Sequence, residues 1–318
     1  MNRQDIDALV KKMNVDTATG AVDQRVQSIV VRLLGDLFQA IEDLDIQASE
    51  VWKGLEYFTD AGQANELGLL AAGLGLEHYL DLRADEADAK AGVSGGTPRT
   101  IEGPLYVAGA PESVGFARMD DGSESDKIDT LIIEGTVTDT DGNIIEGAVT
   151  DTDGNIIEGA KVEMWHANSL GNYSFFDKSQ SDFNLRRTIL SDVNGKYVAL
   201  TTMPVGYGCP PEGTTQFVLN KLGRHGNRPS HVHYFVSAPG FRKLTTQFNI
   251  EGDKYLWDDF AFATRDGLVA TAVDVTDEAE IQRRGLDKPF KHITFNIELV
   301  KEAASAPSTE VDRRRASA

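Results

Sequence analysis

The sequence has almost no cysteine, since Cys209 is the one thiol among 318 residues. A single thiol excludes an internal disulfide framework and a zinc site built from several cysteines. The sequence also lacks an apolar run long enough to cross a bilayer, and its start, MNRQDIDALVKKM, lacks the apolar core of a signal peptide. These absences predict a cytoplasmic protein that is not inserted in a membrane.

Positive charge is scarce as well. Lys and Arg number 31 against 50 Asp and Glu, which gives a formal net charge of −19. Because nucleic-acid phosphates would be repelled, we do not expect DNA or RNA as a partner. The hydrophobic content of 41% and charged content of 25% are ordinary for a soluble globular protein. The length allows one large domain, or a main domain with a smaller partner.

The first third of the chain has helical periodicity. From Val26 to Leu44 the apolar residues form one wide stripe, which either packs in a core or forms a dimer interface. Ser49 can cap a following helix, and residues 65–82 predict another helical stretch broken by glycine. We therefore predict a helical dimerisation and linker domain over residues 1–100.

After the glycine-rich joint at residues 92–100, short alternating segments dominate. The predicted strands, each bounded by Gly, Pro, Asn or Asp, are Ile128–Val137, Lys161–His166, Lys196–Thr201, His231–Val236 and Thr245–Ile250. They predict a mainly antiparallel β-sandwich over residues 101–300 and hence an α+β protein. Residues 301–318 lack periodicity, so we predict a disordered tail with the run Arg313–Arg315 in solvent.

A twelve-residue segment occurs twice in succession. Residues 137–148 read VTDTDGNIIEGA, and residues 149–160 repeat them letter for letter. One copy predicts a strand, a turn at Asp141-Gly142-Asn143 and the start of a second strand. Because twelve is even, the repeat preserves the alternation of side chains in the strands that follow. We expect one copy to pair in the sheet and the other to protrude as a hairpin or loop.

Two histidines separated by one residue are the clearest indication of chemistry. In a strand, His231 and His233 project from the same face, so both imidazoles can reach one ion. Tyr207 lies between glycines, and Tyr173 lies in a turn. Two phenolates and one hydroxide would neutralise Fe(III), with two neutral histidines completing the ligand set. From the residues alone, histidines on a polar strand face and tyrosines packed in a core are the alternatives.

Several long blocks resemble the catechol 1,2-dioxygenases of the intradiol dioxygenase family, over nearly the whole chain to about residue 300. They occur in the order TPRTIEGPLYVAGAP (97–111), WHANSLGNYS (165–174), PVGYGCPPEG (204–213), LGRHGNRPSHVHYFVSA (222–238), LTTQ (244–247) and DKYLWDDFAFATRDGL (253–268). The resemblance implies cleavage of catechol by O₂ to cis,cis-muconate at one non-haem Fe(III) per subunit, in aromatic degradation by the β-ketoadipate pathway. It also implies a homodimer formed through the helical domain, with an apolar tunnel at the interface that can hold a lipid.

The resemblance further implies roles for individual residues. The metal ligands would be Tyr173, Tyr207, His231 and His233, with Tyr207 leaving the metal and acting as a base. Arg228 and Gln247 would stabilise charge on the oxidised ring, although a structural ion pair is the alternative for Arg228. The residues lining the substrate pocket would be Leu69, Ala72, Ile101, Gly103, Pro104 and Phe260. Family members often have proline at the position of Ala72.

Other functions compete with this interpretation. Cupin-type Fe(II) dioxygenases also use two histidines one residue apart, but they require a glutamate a few residues later, and residues 234–239 contain none. A β-sandwich that holds iron without turnover is the non-enzymatic alternative. Within the family, chlorocatechol and hydroxyquinol 1,2-dioxygenases are rivals, because a few pocket residues decide specificity.

Overall fold

The structure is a computed structural model that describes residues 1–13, 22–145, 149–150, 156–157, 159–313 and 315–317. The fold divides into two compact units, Met1–Ala64 and Asn65–Ala318. The predicted boundary at residue 100 separates helices from strands. In space, the helices that follow Asn65 belong with the strands.

The first unit is helical. Its helices are α1 (Arg3–Met13), α2 (Gln24–Asp43) and α3 (Ala48–Gln63). Asp23 caps α2 by accepting from two backbone N–H groups. Gln47 and Glu50 form a capping box on α3, so the expected cap at Ser49 is wrong.

The apolar stripe of α2 is exposed in the single chain, where Leu33 is 62% and Leu37 is 52% accessible. Core packing therefore does not describe these exposed residues, although Leu34, Phe38 and Ile41 of the same stripe are half-buried. A contiguous exposed apolar surface is typical of an interface.

The second unit contains α4 (Leu67–Gly73), α5 (Leu76–Lys90), α6 (Thr214–Lys221) and α7 (Glu278–Arg283). The predicted glycine-broken stretch at residues 65–82 is confirmed as α4 and the start of α5. Gly75 lies between these helices at φ 79°, a left-handed conformation that glycine adopts without strain. In the described part of the chain, no helix is both long enough and apolar enough to cross a membrane.

The described strands of this unit form two six-stranded sheets and three two-stranded sheets. The strands are β1 (Val107–Ala108), β2 (Glu112–Val114), β3 (Phe116–Arg118), β4 (Thr130–Asp139), β5 (Val149–Thr150), β6 (Ile156–Ile157), β7 (Lys161–Trp165), β8 (Arg186–Leu190), β9 (Lys196–Thr202), β10 (Tyr207–Gly208), β11 (Asn227–Arg228), β12 (His231–Ser237), β13 (Leu244–Ile250), β14 (Val269–Ala270), β15 (Val273–Val275), β16 (Phe290–Thr294), β17 (Ile297–Leu299) and β18 (Ala316–Ser317). One sheet has the order β14-β13-β12-β7-β8-β2, and the other has β15-β16-β4-β9-β3 with β17 also on β4. The long pairs are antiparallel and several short strands join in parallel, which confirms the predicted α+β sandwich.

The alternation of side chains along β12 determines which face of the sheet carries the candidate site. Val232, Tyr234 and Val236 pack into the core shared with the other sheet. His231, His233 and Phe235 therefore project from the outer face of the β12 sheet, where Phe235 packs with aromatic side chains. The core and the candidate site thus lie on opposite faces of one strand.

The C-terminal residues differ from the predicted disordered tail. Arg313 pairs with Glu77 at 2.8 Å, Arg315 pairs with Glu102 at 2.8 Å, and β18 pairs with β1. These partners lie more than 200 residues earlier, so local composition cannot predict the contacts. Arg313 and Arg315 are therefore not simply solvated.

The duplicated segment is described in part. In the first copy, Asp139 accepts from the backbone N–H groups of Asp141 and Asn143, and Ile145 N donates to Val137 O at 3.0 Å, which closes a turn on β4. In the second copy, β5 pairs with β6. Residues 146–148, 151–155 and 158 lie outside the described residues, so the expectation that one copy protrudes is tested only in part.

Candidate metal centre

Two histidine nitrogens converge on one point. The Nε2 atoms of His231 and His233 are 3.1 Å apart, and His231 Nδ1–H donates to Pro229 O at 2.6 Å, which leaves Nε2 without a proton and able to accept. Burial, followed by Arg228 for His231 and by His231 for His233, holds the pKa of each imidazole well below its ordinary value. Two nitrogens each about 2.1 Å from one ion, at a right angle, would lie about 3.0 Å apart. The pair therefore fits a single transition metal.

Two tyrosines approach the same point. The Tyr173 hydroxyl lies 3.4 Å from His231 Nε2, and its ring meets the Tyr207 ring edge to face at 5.5 Å between centroids. The Tyr207 ring is 5.5 Å from the His231 ring. Tyr207 is held on β10 opposite Arg228 of β11. The structure thus brings together all four side chains that were predicted as ligands.

Glycine makes the approach of Tyr207 possible. A Cβ atom on Gly171 would lie 2.7 Å from Tyr207 Cβ, and Gly171 has φ 80°. A Cβ on Gly206 would lie 2.7 Å from Arg228 O. Larger residues at either position would displace the loop that carries Tyr207.

The donor set fits a ferric ion. Burial, followed by the neighbouring Tyr207, raises the pKa of Tyr173 well above its ordinary value, so a buried phenolate needs a strong cation beside it. Within the described residues, no group of three or more His, Cys, Asp or Glu could hold a metal. Phenol oxygens are therefore the donors available to complete the shell of the two histidines, and hard anionic oxygen suits Fe(III).

Arg228 is fixed beside the ligands. It is 3% exposed, its Nη1 lies 3.0 Å from His231 Nε2, and its Nη2 donates to Gln247 Oε1 at 2.9 Å. Its Nε and Nη2 also donate to the Asp259 carboxylate at 3.2 and 3.1 Å. Gln247 lies opposite His233 in the β12–β13 ladder and donates to Asn249 at 2.7 Å. Arg228 thus forms a structural ion pair with Asp259 and also lies at the candidate site.

Asp259, Asn249 and Trp165 are neighbours that the sequence analysis missed. Trp165 lies parallel to the His233 ring, with centroids 4.9 Å apart and planes 5° apart. Asp259 immediately precedes the predicted pocket residue Phe260, which is the one local signal that could have indicated it. Trp165 and Asn249 reach the site only through strand register, which no local pattern shows.

The predicted pocket residues lie close to one another. Leu69, Ala72, Ile101 and Phe260 belong to one buried apolar cluster. A Cβ on Gly103 would be 3.8 Å from His233 Cε1, and a Cβ on Gly68 of α4 would be 3.4 Å from Pro104. The apolar wall therefore adjoins the candidate metal centre. A cavity of about 870 Å³ next to α5 includes Ile101 but none of the four candidate ligands.

Family profiles match most of the chain. Residues 101–300 match the family described as dioxygenase, and residues 23–92 match the catechol dioxygenase N terminus. The chain belongs to the intradiol dioxygenases, among the catechol 1,2-dioxygenases. Members of this family are non-haem iron enzymes, so the non-catalytic alternative is not supported.

Relatives place the chain within the family. Catechol 1,2-dioxygenase from Acinetobacter guillouiae is 77% identical over 307 residues, which cover 96% of this chain and 97% of that protein. The crystal structure of wild-type Acinetobacter radioresistens catechol 1,2 dioxygenase is 87% identical and has a TM-score of 0.94, covering 100% of this chain and 99% of that one. By contrast, hydroxyquinol 1,2-dioxygenase from Rhizobium sp. (strain MTP-10005) is 30% identical over 270 residues, 83% of this chain and 84% of that protein. The rival specificities are thus represented by more distant relatives.

Proposed function

We propose that the protein cleaves catechol with O₂ between the two hydroxyl-bearing carbons, giving cis,cis-muconate. The reaction takes place at one ferric ion per subunit, held by Tyr173, Tyr207, His231 and His233. The observation that carries this proposal is the convergence of two neutral imidazoles and two phenols at one buried point. The similarity to enzymes named catechol 1,2-dioxygenases supports catechol as the substrate.

The chemistry divides between the metal and the protein. A ferric ion held by these residues would supply Lewis acidity toward the catechol oxygens and would make the ring reactive toward O₂. The phenolate oxygen of Tyr207 accepts a proton from a catechol hydroxyl as the substrate binds. Tyr207 suits this part because it is only half-buried and lies between Gly206 and Gly208, whereas Tyr173 is 3% exposed.

Arg228 and Gln247 act on the substrate. Because Asp259 and Gln247 fix the guanidinium, its charge is preorganised where negative charge and ketone character develop on the ring. Leu69, Ala72, Ile101, Gly103, Pro104 and Phe260 line the catechol site and exclude water from it. Ala72 leaves more room than the proline of other family members would.

The protein acts as a homodimer formed through the helices of residues 1–100. The exposed stripe of α2 supports this assembly because it is too apolar to face water. A lipid would occupy an apolar tunnel at that interface. A cytoplasmic location stays a prediction.

The visible absorption spectrum tests the site. The ferric protein should be red from tyrosinate-to-iron absorption, and anaerobic catechol should shift the band to longer wavelength. Tyr207→Phe should retain iron and slow turnover, by roughly 10²–10⁴-fold for the loss of a positioned base. His231→Ala should lose iron. Tyr255→Phe, which changes a phenol outside the ligand set, is the control, and full activity in the Tyr207 or His231 variant would refute the assignment.

A further inference from the structure

One buried arginine beside the site has no part in the chemistry above. Arg186 begins β8, pairs with Trp165 of β7 in the ladder, and is 1% exposed. Its Nε donates to Ser174 Oγ at 2.9 Å, and its Nη2 donates to Ser174 O at 3.1 Å. Its Nη1 is buried and lacks a hydrogen-bond partner among the described residues.

Among the residues that the structure describes, no carboxylate forms an ion pair with Arg186. Its two described hydrogen bonds go to neutral oxygens of Ser174, whereas the other buried arginine of the site, Arg228, has Asp259 as its counter-ion. A guanidinium is not deprotonated in proteins, so the buried Arg186 side chain is cationic. A buried cation is costly unless an anion balances it.

Two phenols, Tyr106 and Tyr173, interact electrostatically with Arg186. Tyr106 is excluded as the anion that balances its charge. The Tyr106 hydroxyl donates a hydrogen bond to Glu163 Oε1 at 2.6 Å. Burial, followed by Glu163, raises the pKa of Tyr106 above the ordinary value. Tyr106 therefore stays neutral. The Arg186 guanidinium carbon lies 5.7 Å from the ring centroid of Tyr173. Tyr173 is thus the group that can carry a compensating negative charge once a metal is bound.

We infer that Arg186 is a positioning residue whose buried charge balances Tyr173 as a metal-bound phenolate. It thereby keeps Tyr173 on the metal and makes Tyr207 the ligand that leaves. The inference rests on the proposed function. Ser174 assists because it follows Tyr173 directly, binds Arg186 through its hydroxyl and carbonyl, and donates to Asn184 O at 2.8 Å.

The test observes each tyrosinate separately. In a Tyr207→Phe background, Tyr173 is the one tyrosinate on the iron, and in a Tyr173→Phe background Tyr207 is. A nearby positive charge lowers the energy of the phenolate electrons, so its removal should shift phenolate-to-iron absorption to longer wavelength. Arg186→Met should shift the band in the first background and leave it unchanged in the second. Arg186→Lys should restore the band in the first background.

Iron retention gives a second measurement that needs no tyrosine substitution. Changes beside a metal ligand typically cost 10- to 100-fold in metal affinity, so Arg186→Met should lose iron to a chelator roughly 10- to 100-fold faster than wild type. Arg186→Lys should stay within about threefold of wild type. Ser174→Ala, which removes the hydroxyl hydrogen bonds to Arg186 and Asn184 but keeps the Arg186 charge, is the control for a merely structural role, and its band should not move.

The results distinguish failure of the inference about Arg186 from failure of the proposed function. Equal shifts in both backgrounds, no shift in either, or iron loss as fast in Arg186→Lys as in Arg186→Met would overturn the inference while leaving the proposed function intact. A wild-type protein that shows no tyrosinate-to-iron band after ferric loading would overturn the proposed function, and this inference with it.

Discussion

Replacing Asp259 by Asn should destabilise the protein far more than the same change at Asp258. The side chains of Asp259 and Arg228 are 1% and 4% exposed, so their ion pair lies out of water. Asn keeps the shape of Asp and an oxygen that can accept from Ala261 N, which donates to Asp259 at 3.0 Å. The substitution therefore removes mainly the charge that balances Arg228.

The expected cost follows from this burial. Removing one partner of a buried ion pair typically costs about 3–5 kcal/mol, because the other charge stays buried without a counter-ion. Burial alone would lower the pKa of Arg228, and Asp259, followed by Tyr207, raises it above its ordinary value. At roughly 2–4 °C per kcal/mol for a protein of this size, Tm should fall by about 6–20 °C.

Asp258 supplies the matched control. It pairs with His225 at 3.0 Å, but its side chain is 79% exposed, and exposed pairs are typically worth about 0–1 kcal/mol. Urea-induced unfolding of both variants, with and without ferric loading, measures the difference. If Asp259→Asn and Asp258→Asn unfold at the same urea concentration, Asp259 is not the counter-ion of Arg228, and the fixed guanidinium of the proposed function has lost its support.

Three further results are expected. The hydrogen bond from Arg284 is the largest of the effects that lower the pKa of Glu134. The ionised Glu134 therefore contributes stability above its ordinary pKa of 4.5, and this contribution is lost as pH falls through the lower pKa of the folded state. Glu134→Gln should reduce this acid-dependent loss of stability, measured by urea unfolding between about pH 5 and 2. Deletion of residues 149–160 should leave catechol turnover intact, because the first copy already closes the turn on β4. Arg315→Ala should leave the 7%-exposed Glu102 side chain with only its 4.0 Å ion pair to Arg313 among the described residues, lower stability by about 1–3 kcal/mol and raise KM for catechol, since Glu102 adjoins the pocket wall.

Each of these results has a contrary outcome. Parallel pH profiles for wild type and Glu134→Gln would show that the Arg284 pair does not contribute to acid stability. Loss of folding in the deletion variant would show that the second copy belongs to the sheet. A KM unchanged by Arg315→Ala, with stability lowered, would limit the C-terminal residues to a structural role.

The convergence of the proposed metal ligands could be predicted from the sequence because their signals are mostly local. His231 and His233 share a strand face by simple alternation, and glycine neighbours indicated that Tyr207 lies in a tight loop. The resemblance to the family then joined Tyr173 to them. The residues that orient these ligands were not predictable in the same way. Asp259 lies 31 residues from Arg228 along the chain, and their meeting depends on how the loop after β13 returns to β11.

Strand β8 shows why Arg186 escaped the sequence analysis. It begins with two arginines, Arg186 and Arg187, and two charged residues in succession resemble a solvated loop. In the structure Arg186 is buried and Arg187 is only partly so, because their side chains leave opposite faces of the strand. A local pattern cannot tell which of two adjacent charges is buried when the partner is a phenol 13 residues earlier.

The register of β12 explains how one strand serves both stability and chemistry. His233 lies opposite Trp165 on β7 and opposite Gln247 on β13, so one cross-strand row contains a proposed metal ligand, the ring stacked on it and a residue proposed to act on the substrate. A slip of one residue would turn His233 into the core and Tyr234 onto the outer face. The duplicated segment precedes β7 without changing this row, because β7 is paired on both sides, to β8 and to β12. The pairing of β7 within the sheet therefore keeps the row at the candidate site in register, although the duplicated segment directly precedes β7 in the sequence.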